Sequence, residues 1–181
     1  MAAVKAEYLP HYTYEDYAQW EGDWELIYGV PYAMAPAPMI KHQKISSKIA
    51  YILESQLNIC DTCSALVAAD WKISDDTVVC PDNLVICHEE SHPAYLTKAP
   101  GLIFEILSKS TALIDQELKF DIYEREGVAY YVIVDPQIDV AKIYRLNKEG
   151  RYIKVADVTD ETIPLSLKEC TISFDFSKIW T

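Results

Sequence analysis

Two carboxylates separated by 23 residues carry the first chemical signal in this chain. Asp82 stands in "CPDNLVI", which begins at Cys80, and Glu105 stands in "GLIFEILSKST", which begins at Gly101. Along "LIFEIL" the side chains alternate between two faces, with Ile103, Glu105 and Leu107 on one and Leu102, Phe104 and Ile106 on the other. Both faces are apolar, the pattern of a central strand covered on both sides. An unpaired ionised carboxylate there costs several kcal/mol, so Glu105 must be protonated, ion-paired or metal-bound. Asp82 shares the parity of Leu84 and Ile86. An antiparallel pairing that aligns Cys87 with Gly101 sets it about opposite Ile106, next to Glu105. Two carboxylates so close repel each other and raise one pKa unless a divalent cation takes both. Oxygen ligands of this kind suit Mg²⁺ or Mn²⁺. Downstream, Asp115, Lys119 and Tyr123 recur every four residues and share one helix face. Lys119 is either half of a surface pair with Asp115 or an ammonium turned toward the carboxylates, where it steadies an anionic transition state. Spacing alone leaves the two equal.

The elements that must position these residues read as a mixed α/β domain. Thr13 caps a short helix, "TYEDYAQW", with Asp16 three residues on. "WELIYGVPYAMAPA" reads as a hairpin turning at Gly29 and closed by Pro36 and Pro38. Between Met39 and Asn58, the positions Ile45, Ile49, Ile52, Leu53 and Leu57 form one helical stripe. "SALVAAD", "TVVCPDNLVIC" and "GLIFEILS" read as strands. A second helix runs from Thr111 to Glu126 and is stopped by Gly127. "AYYVIVDP", "VAKIYRL", "RYIKVADVT" and "TISFDF" are further strands, giving a central mixed β-sheet flanked by helices.

At 181 residues the chain is expected to be one domain over 1–181, burying roughly 70% of its unfolded surface. A composition of 50% hydrophobic and 12% aromatic residues excludes a disordered chain. No apolar run approaches the roughly 20 residues of a membrane span, and the N-terminus lacks a signal-peptide core, so a cytoplasmic protein without membrane contact is expected. The net charge of −12 counts against a general nucleic-acid coat protein but leaves room for an enzyme with a local basic rim. Five cysteines include "CDTC" at Cys60–Cys63, yet no second close pair follows, so free thiols are expected rather than zinc or redox chemistry. His88 and His92, near Glu89 and Glu90, form at most a weak metal-clip pattern.

Taken together, the Pro-Asp pair, "FEILSKST", the D-x-x-x-K-x-x-x-Y helix, "GVAYYVIVDP" and the upstream "WELIYGVPYAMAPAP" resemble the bacterial Uma-type family of restriction endonucleases. That family belongs to the PD-(D/E)XK nuclease superfamily, and the likeness spans roughly residues 13 to 146. It implies a restriction-endonuclease-like core and metal-assisted hydrolysis of DNA phosphodiester bonds without an organic cofactor. Asp82 and Glu105 match the family's metal-binding carboxylates. Lys119 matches a catalytic lysine moved onto the following helix, since Leu107 occupies the superfamily's usual lysine position. Tyr123 and Glu25 match further positions of the catalytic group, and His42 matches a helix histidine that ligates metal in some relatives. Tyr28 departs from an acidic family position, which would weaken the site. Lys109 departs from a proline and offers a second cation. A nuclease fold without turnover, acting as a binding or regulatory module, is the alternative, and an interaction protein that binds metal incidentally is a third. The aromatic strands "YYVIVD" and "AKIYRL" are expected at a sheet edge, where pairing would build a homodimer.

Overall fold

The computed structural model describes residues 10–34, 39–60, 62–88, 92–108, 112–168 and 170–180. Pro36, Pro38, Glu89, Glu90, Lys109 and Thr111, all used in the sequence reading, lie outside them. A short helix α1 (Tyr14–Tyr17) leads into the hairpin β1 (Trp24–Ile27) and β2 (Val30–Ala33). The carboxylate of Asp16 accepts from the Thr13 backbone N–H at 2.8 Å and from its hydroxyl at 3.0 Å. Tyr28 and Gly29 make the two-residue turn with φ of +52° and +74°, the left-handed pair that matches strand twist in a tight hairpin.

Helix α2 (Ile40–Leu57) follows, then β3 (Ser64–Val67), β4 (Trp71–Ser74), β5 (Thr77–Val79), β6 (Asn83–Ile86) and β7 (Leu102–Ile106). A widened π turn (Ile114–Leu118) runs into α3 (Lys119–Arg125), where the expected second helix lies. The Lys119 N–H bonds the Ile114 carbonyl, five residues back. Gly127, at φ +83°, ends the segment as expected. Then come β8 (Tyr130–Asp135), β9 (Val140–Leu146), β10 (Tyr152–Val158), β11 (Thr162–Ser166) and β12 (Thr171–Asp175).

Six strands form the central sheet in the order β10-β9-β8-β7-β6-β3. All pairs are antiparallel except β7–β8, whose parallel pairing the π turn and α3 make possible by crossing over between them. A smaller sheet runs β2-β1-β5-β4, and β11–β12 is a separate hairpin. The two faces of β7 separate two cores. Leu102, Phe104 and Ile106 pack with the α2 stripe Ile45, Ile49, Ile52, Leu53 and Leu57, and with Phe174 and Phe176. Ile103 packs on the other side with Ile122, Tyr123, Tyr131, Trp71 and Ile27.

The structure departs from the sequence expectations at four points. "TVVCPDNLVIC" is two strands in different sheets, broken at Cys80–Asp82, because proline cannot donate to a ladder. The β6–β7 register pairs Asn83 with Phe104, one residue away from the expected alignment, so the extended register sets Asp82 opposite Glu105 rather than Ile106. Strands β8 and β9 are interior, and β10 and β3 are the edges. Only Cys80 is a free thiol among the described residues; Cys60 is bonded to Cys170 and Cys63 to Cys87.

Candidate active site

The site forms where the C-terminal part of β7 meets α3, β1 and the break before β6. Glu105, the last residue but one of β7, points into the Tyr123–Tyr131 core and is only 3% exposed. The Lys119 ammonium reaches it at 3.0 Å and also touches Glu25 at 2.7 Å and Asp115 at 3.2 Å. These four side chains are 2–4% exposed, so the Asp115–Lys119 pair is buried, not a surface pair. The Tyr123 hydroxyl donates to the same Oε1 of Glu105 at 2.8 Å. Both of these hydrogen bonds land on Oε1.

Each group is held by its element. Glu25 lies on β1, where its Oε1 also accepts the Cys80 N–H at 2.8 Å, tying the small sheet to the Pro-Asp break. Asp115 sits on the π turn, a distortion that concentrates at functional sites. The Tyr131 hydroxyl donates to the Asp115 carbonyl at 2.8 Å. Asp82 stands just before β6, and its Oδ2 accepts the Ile106 N–H at 2.7 Å, continuing the ladder with a side chain where Pro81 has ended it. His42 Nε2, from the first turn of α2, lies 3.3 Å from the same Oδ2. His42 Nδ1 and the Asn83 side-chain oxygen are buried without a hydrogen-bond partner among the described residues. Asp115 Oδ1 likewise lacks a hydrogen bond: its 3.2 Å contact with Lys119 is an ionic approach outside hydrogen-bond geometry.

The electrostatics follow from burial. Burial drives Glu105 well above the carboxylate range; Lys119 opposes this, and the charges of Asp115, Asp82 and Glu25 add to it. Glu25 is raised by burial as well, against the pull of Lys119 and the Cys80 N–H. For Lys119 burial acts downward, but Glu105 and Glu25 outweigh it, and the ammonium is held well above its usual value. Burial and the neighbouring Glu105 raise Tyr123, keeping its proton on the hydroxyl. His42 is lowered by burial, yet its hydrogen bond to Asp82 and that residue's charge leave it raised overall.

Of the expected site residues, Asp82 and His42 pair with each other at the Ile106 N–H, and Glu105, Lys119, Glu25 and Tyr123 contact one another directly. Asp115 joins them by the same four-residue spacing. Tyr28 does not; it stays on the hairpin turn, 42% exposed, with its hydroxyl accepting from Arg125 at 2.9 Å. His92 stacks on Tyr95, with ring centroids 3.8 Å apart. Sequence reasoning missed Asn83 and Tyr131. The asparagine directly after Pro-Asp, inside an apolar strand, was the available signal for the first.

The donor set is rich in carboxylate oxygens, the ligand type of a hard divalent cation. Lys119 faces Glu25, Glu105 and Asp115, His42 faces Asp82, and Asp115 Oδ1 and His42 Nδ1 are left without a hydrogen bond. One step beyond the β6–β7 register Asp82 stands across from Glu105, while among the described residues no three carboxylate or imidazole ligand atoms lie within 4.8 Å of one another.

Comparison with known proteins gives the same frame. No protein of curated function matches. A solved structure described as a "putative nuclease belonging to DUF820 from Anabaena variabilis ATCC 29413" superposes with a TM-score of 0.73 at 15% identity, covering 93% of this chain and 97% of that one. At that identity it speaks for the fold alone, which is restriction-endonuclease-like. The family model Uma2, described as "Putative restriction endonuclease", matches residues 14–175, from α1 to the last residue of β12, and so takes in every residue of the cluster. The chain belongs to the Uma2 family.

Proposed function

We propose that this chain is a nuclease that hydrolyses DNA phosphodiester bonds with the help of Mg²⁺ or Mn²⁺. The observation that carries the reading is the buried set of Glu25, Glu105 and Asp115 on one ammonium, beside which the β6–β7 register, extended by one step, sets Asp82. Asp82 and Glu105 are the metal ligands in this reading, with His42 beside them. When bound, the cation supplies Lewis acidity toward a phosphate oxygen and lowers the pKa of nearby water. Lys119 keeps its proton at neutral pH, so it works as a fixed charge and donor toward the attacking water or the phosphate, not as a base. Tyr123 orients Glu105, and Glu25 holds Lys119 while anchored by the Cys80 N–H.

Access for a phosphate backbone supports the same reading despite the overall charge of −12. A cavity of about 300 Å³, lined by Lys41, His42, Leu107 and Ser108 among others, opens where α2 begins. Lys44 and Lys48 follow along α2 behind that mouth, where Lys41 is ion-paired with Asp139 at 2.7 Å, and the positive end of the helix dipole adds to them. A two-fold homodimer in the cytoplasm completes the proposal, one cluster per DNA strand. Edge strand β10, with Ile153 and Val155 exposed, is the surface offered for pairing.

The test is cleavage of single- and double-stranded DNA with Mg²⁺, Mn²⁺ or chelator, with Asp82→Ala and Glu105→Ala prepared identically. Cleavage that needs a divalent ion and is lost in both variants supports the proposal. No cleavage by wild type with either ion, or equal cleavage by the variants, overturns it. Cleavage of RNA but not DNA would overturn the substrate assignment alone.

A further inference from the structure

Four of the five cysteines, far apart in sequence, meet at one place that has no part in the carboxylate site. Cys60 follows α2, its N–H bonding the Leu57 carbonyl at 2.8 Å. Cys63 immediately precedes β3, and Cys87 immediately follows β6. The β3–β6 register, extended by one step from Ser64–Ile86, sets those two opposite each other. Cys170 closes the β11–β12 turn, its carbonyl accepting the Leu167 N–H at 2.7 Å. The sulfurs are joined as Cys60–Cys170 and Cys63–Cys87. Two independent disulfides have no need to touch, yet the sulfurs of Cys60, Cys63 and Cys170 all lie within 4.8 Å of one another. Cys87, bonded to Cys63, stands next to this group of three.

We propose that in the reduced protein Cys60, Cys63, Cys87 and Cys170 hold one structural Zn²⁺ as a closed tetrathiolate site. Zinc takes four thiolates tetrahedrally at about 2.3 Å, which sets sulfurs about 3.8 Å apart, and once the two S–S bonds are broken the sulfurs of Cys60, Cys63 and Cys170 start within 4.8 Å of one another. The Cys60-x-x-Cys63 step is the spacing common to such sites, and an all-sulfur, four-ligand shell is structural rather than catalytic. In a reducing compartment, where disulfides are rare, these clustered thiols need a different partner, and a thiophilic ion meets that need. The site clamps the C-terminal end of α2, edge strand β3 and the C-terminal hairpin together. The helical rise from His42 to Leu57, the last residue of α2, is about 22 Å, so the two sites are distinct.

The step balances simply. A trialkylphosphine breaks each S–S bond and becomes the phosphine oxide with the oxygen of one water, whose two protons end on the two sulfurs. Zn²⁺ then displaces the four thiol protons to solvent.

The test uses the full chain, reduced with phosphine, loaded with Zn²⁺ or Co²⁺ alone and desalted. Expected are a sulfur-to-cobalt charge-transfer absorption, about one zinc per chain, and protection of four cysteines from alkylation in the intact mass. Cys63→Ser and Cys170→Ser lose the charge-transfer band. If those variants do not fold, the wild-type alkylation pattern still decides. Absence of the band in wild type, alkylation of all four cysteines with Zn²⁺ present, or an unchanged band in Cys63→Ser overturns the proposal. Because the readout is sulfur ligation, an ion at Asp82 and Glu105 does not mimic it.

Discussion

Replacing Lys119 with methionine keeps the length of the side chain and removes its charge. The ammonium touches Glu25 at 2.7 Å, Glu105 at 3.0 Å and Asp115 at 3.2 Å. At an effective dielectric of about 20, each contact carries about 5–6 kcal/mol of attraction. Desolvation and repulsion among the carboxylates offset most of this, so the net loss falls near the about 3–5 kcal/mol of a broken buried pair. That is a large part of the roughly 5–15 kcal/mol that stabilises a domain. The loss must also depend on pH. Burial already raises Glu105 and Glu25, and Lys119 is the largest influence opposing it. Without the ammonium both rise further. A carboxyl whose folded pKa exceeds its unfolded one binds more protons when folded, so stability falls as pH climbs from the unfolded value through the folded one. Lys119→Met is therefore least damaging near about pH 5 and most damaging near about pH 8. Urea midpoints of wild type and variant at both pH values measure the difference. A loss below about 1 kcal/mol, or one identical at both pH values, refutes the idea that this ammonium is the countercharge of the cluster.

Three further substitutions probe the frame around it. Tyr123→Phe deletes the 2.8 Å bond to Glu105 while keeping the ring against Trp71, and costs about 1.5–3 kcal/mol in urea unfolding. Leu53→Ala empties a fully buried position of the α2 stripe and costs about 2–5 kcal/mol, leaving the metal affinity of any folded protein unchanged by calorimetry. Gly29→Ala forces a side chain into a φ of +74° and against the His11 ring, costing about 1–2 kcal/mol by thermal unfolding.

Periodicity made the frame legible. The α2 stripe is buried at the five positions its spacing marked, and β7 is covered on both faces as its unbroken apolar run required. Tyr28–Gly29 turns where a glycine punctuates alternating strands. The need for a partner was legible because a charge in an apolar run cannot stay alone, but the four-residue spacing of Asp115, Lys119 and Tyr123 left two roles for Lys119, and only packing turns it onto Glu105. The remainder depended on long-range geometry. β4 carries a lysine in "WKIS" and β11 a proline in "TIPLS", so neither looks like a strand by composition. The segment from Cys87 to Gly101 is too long to fix a register, hence the one-residue error at Asp82. Strand order, which decides the sheet edges, and the meeting of the cysteines arise only when separate elements pack.

The most direct measurement is anomalous scattering from a crystal soaked in Mn²⁺. The proposed site predicts a single strong peak at coordinating distance from carboxylate oxygens of both Asp82 and Glu105, beside the Lys119 ammonium. A soaked crystal without such a peak, or with manganese bound only elsewhere, contradicts it.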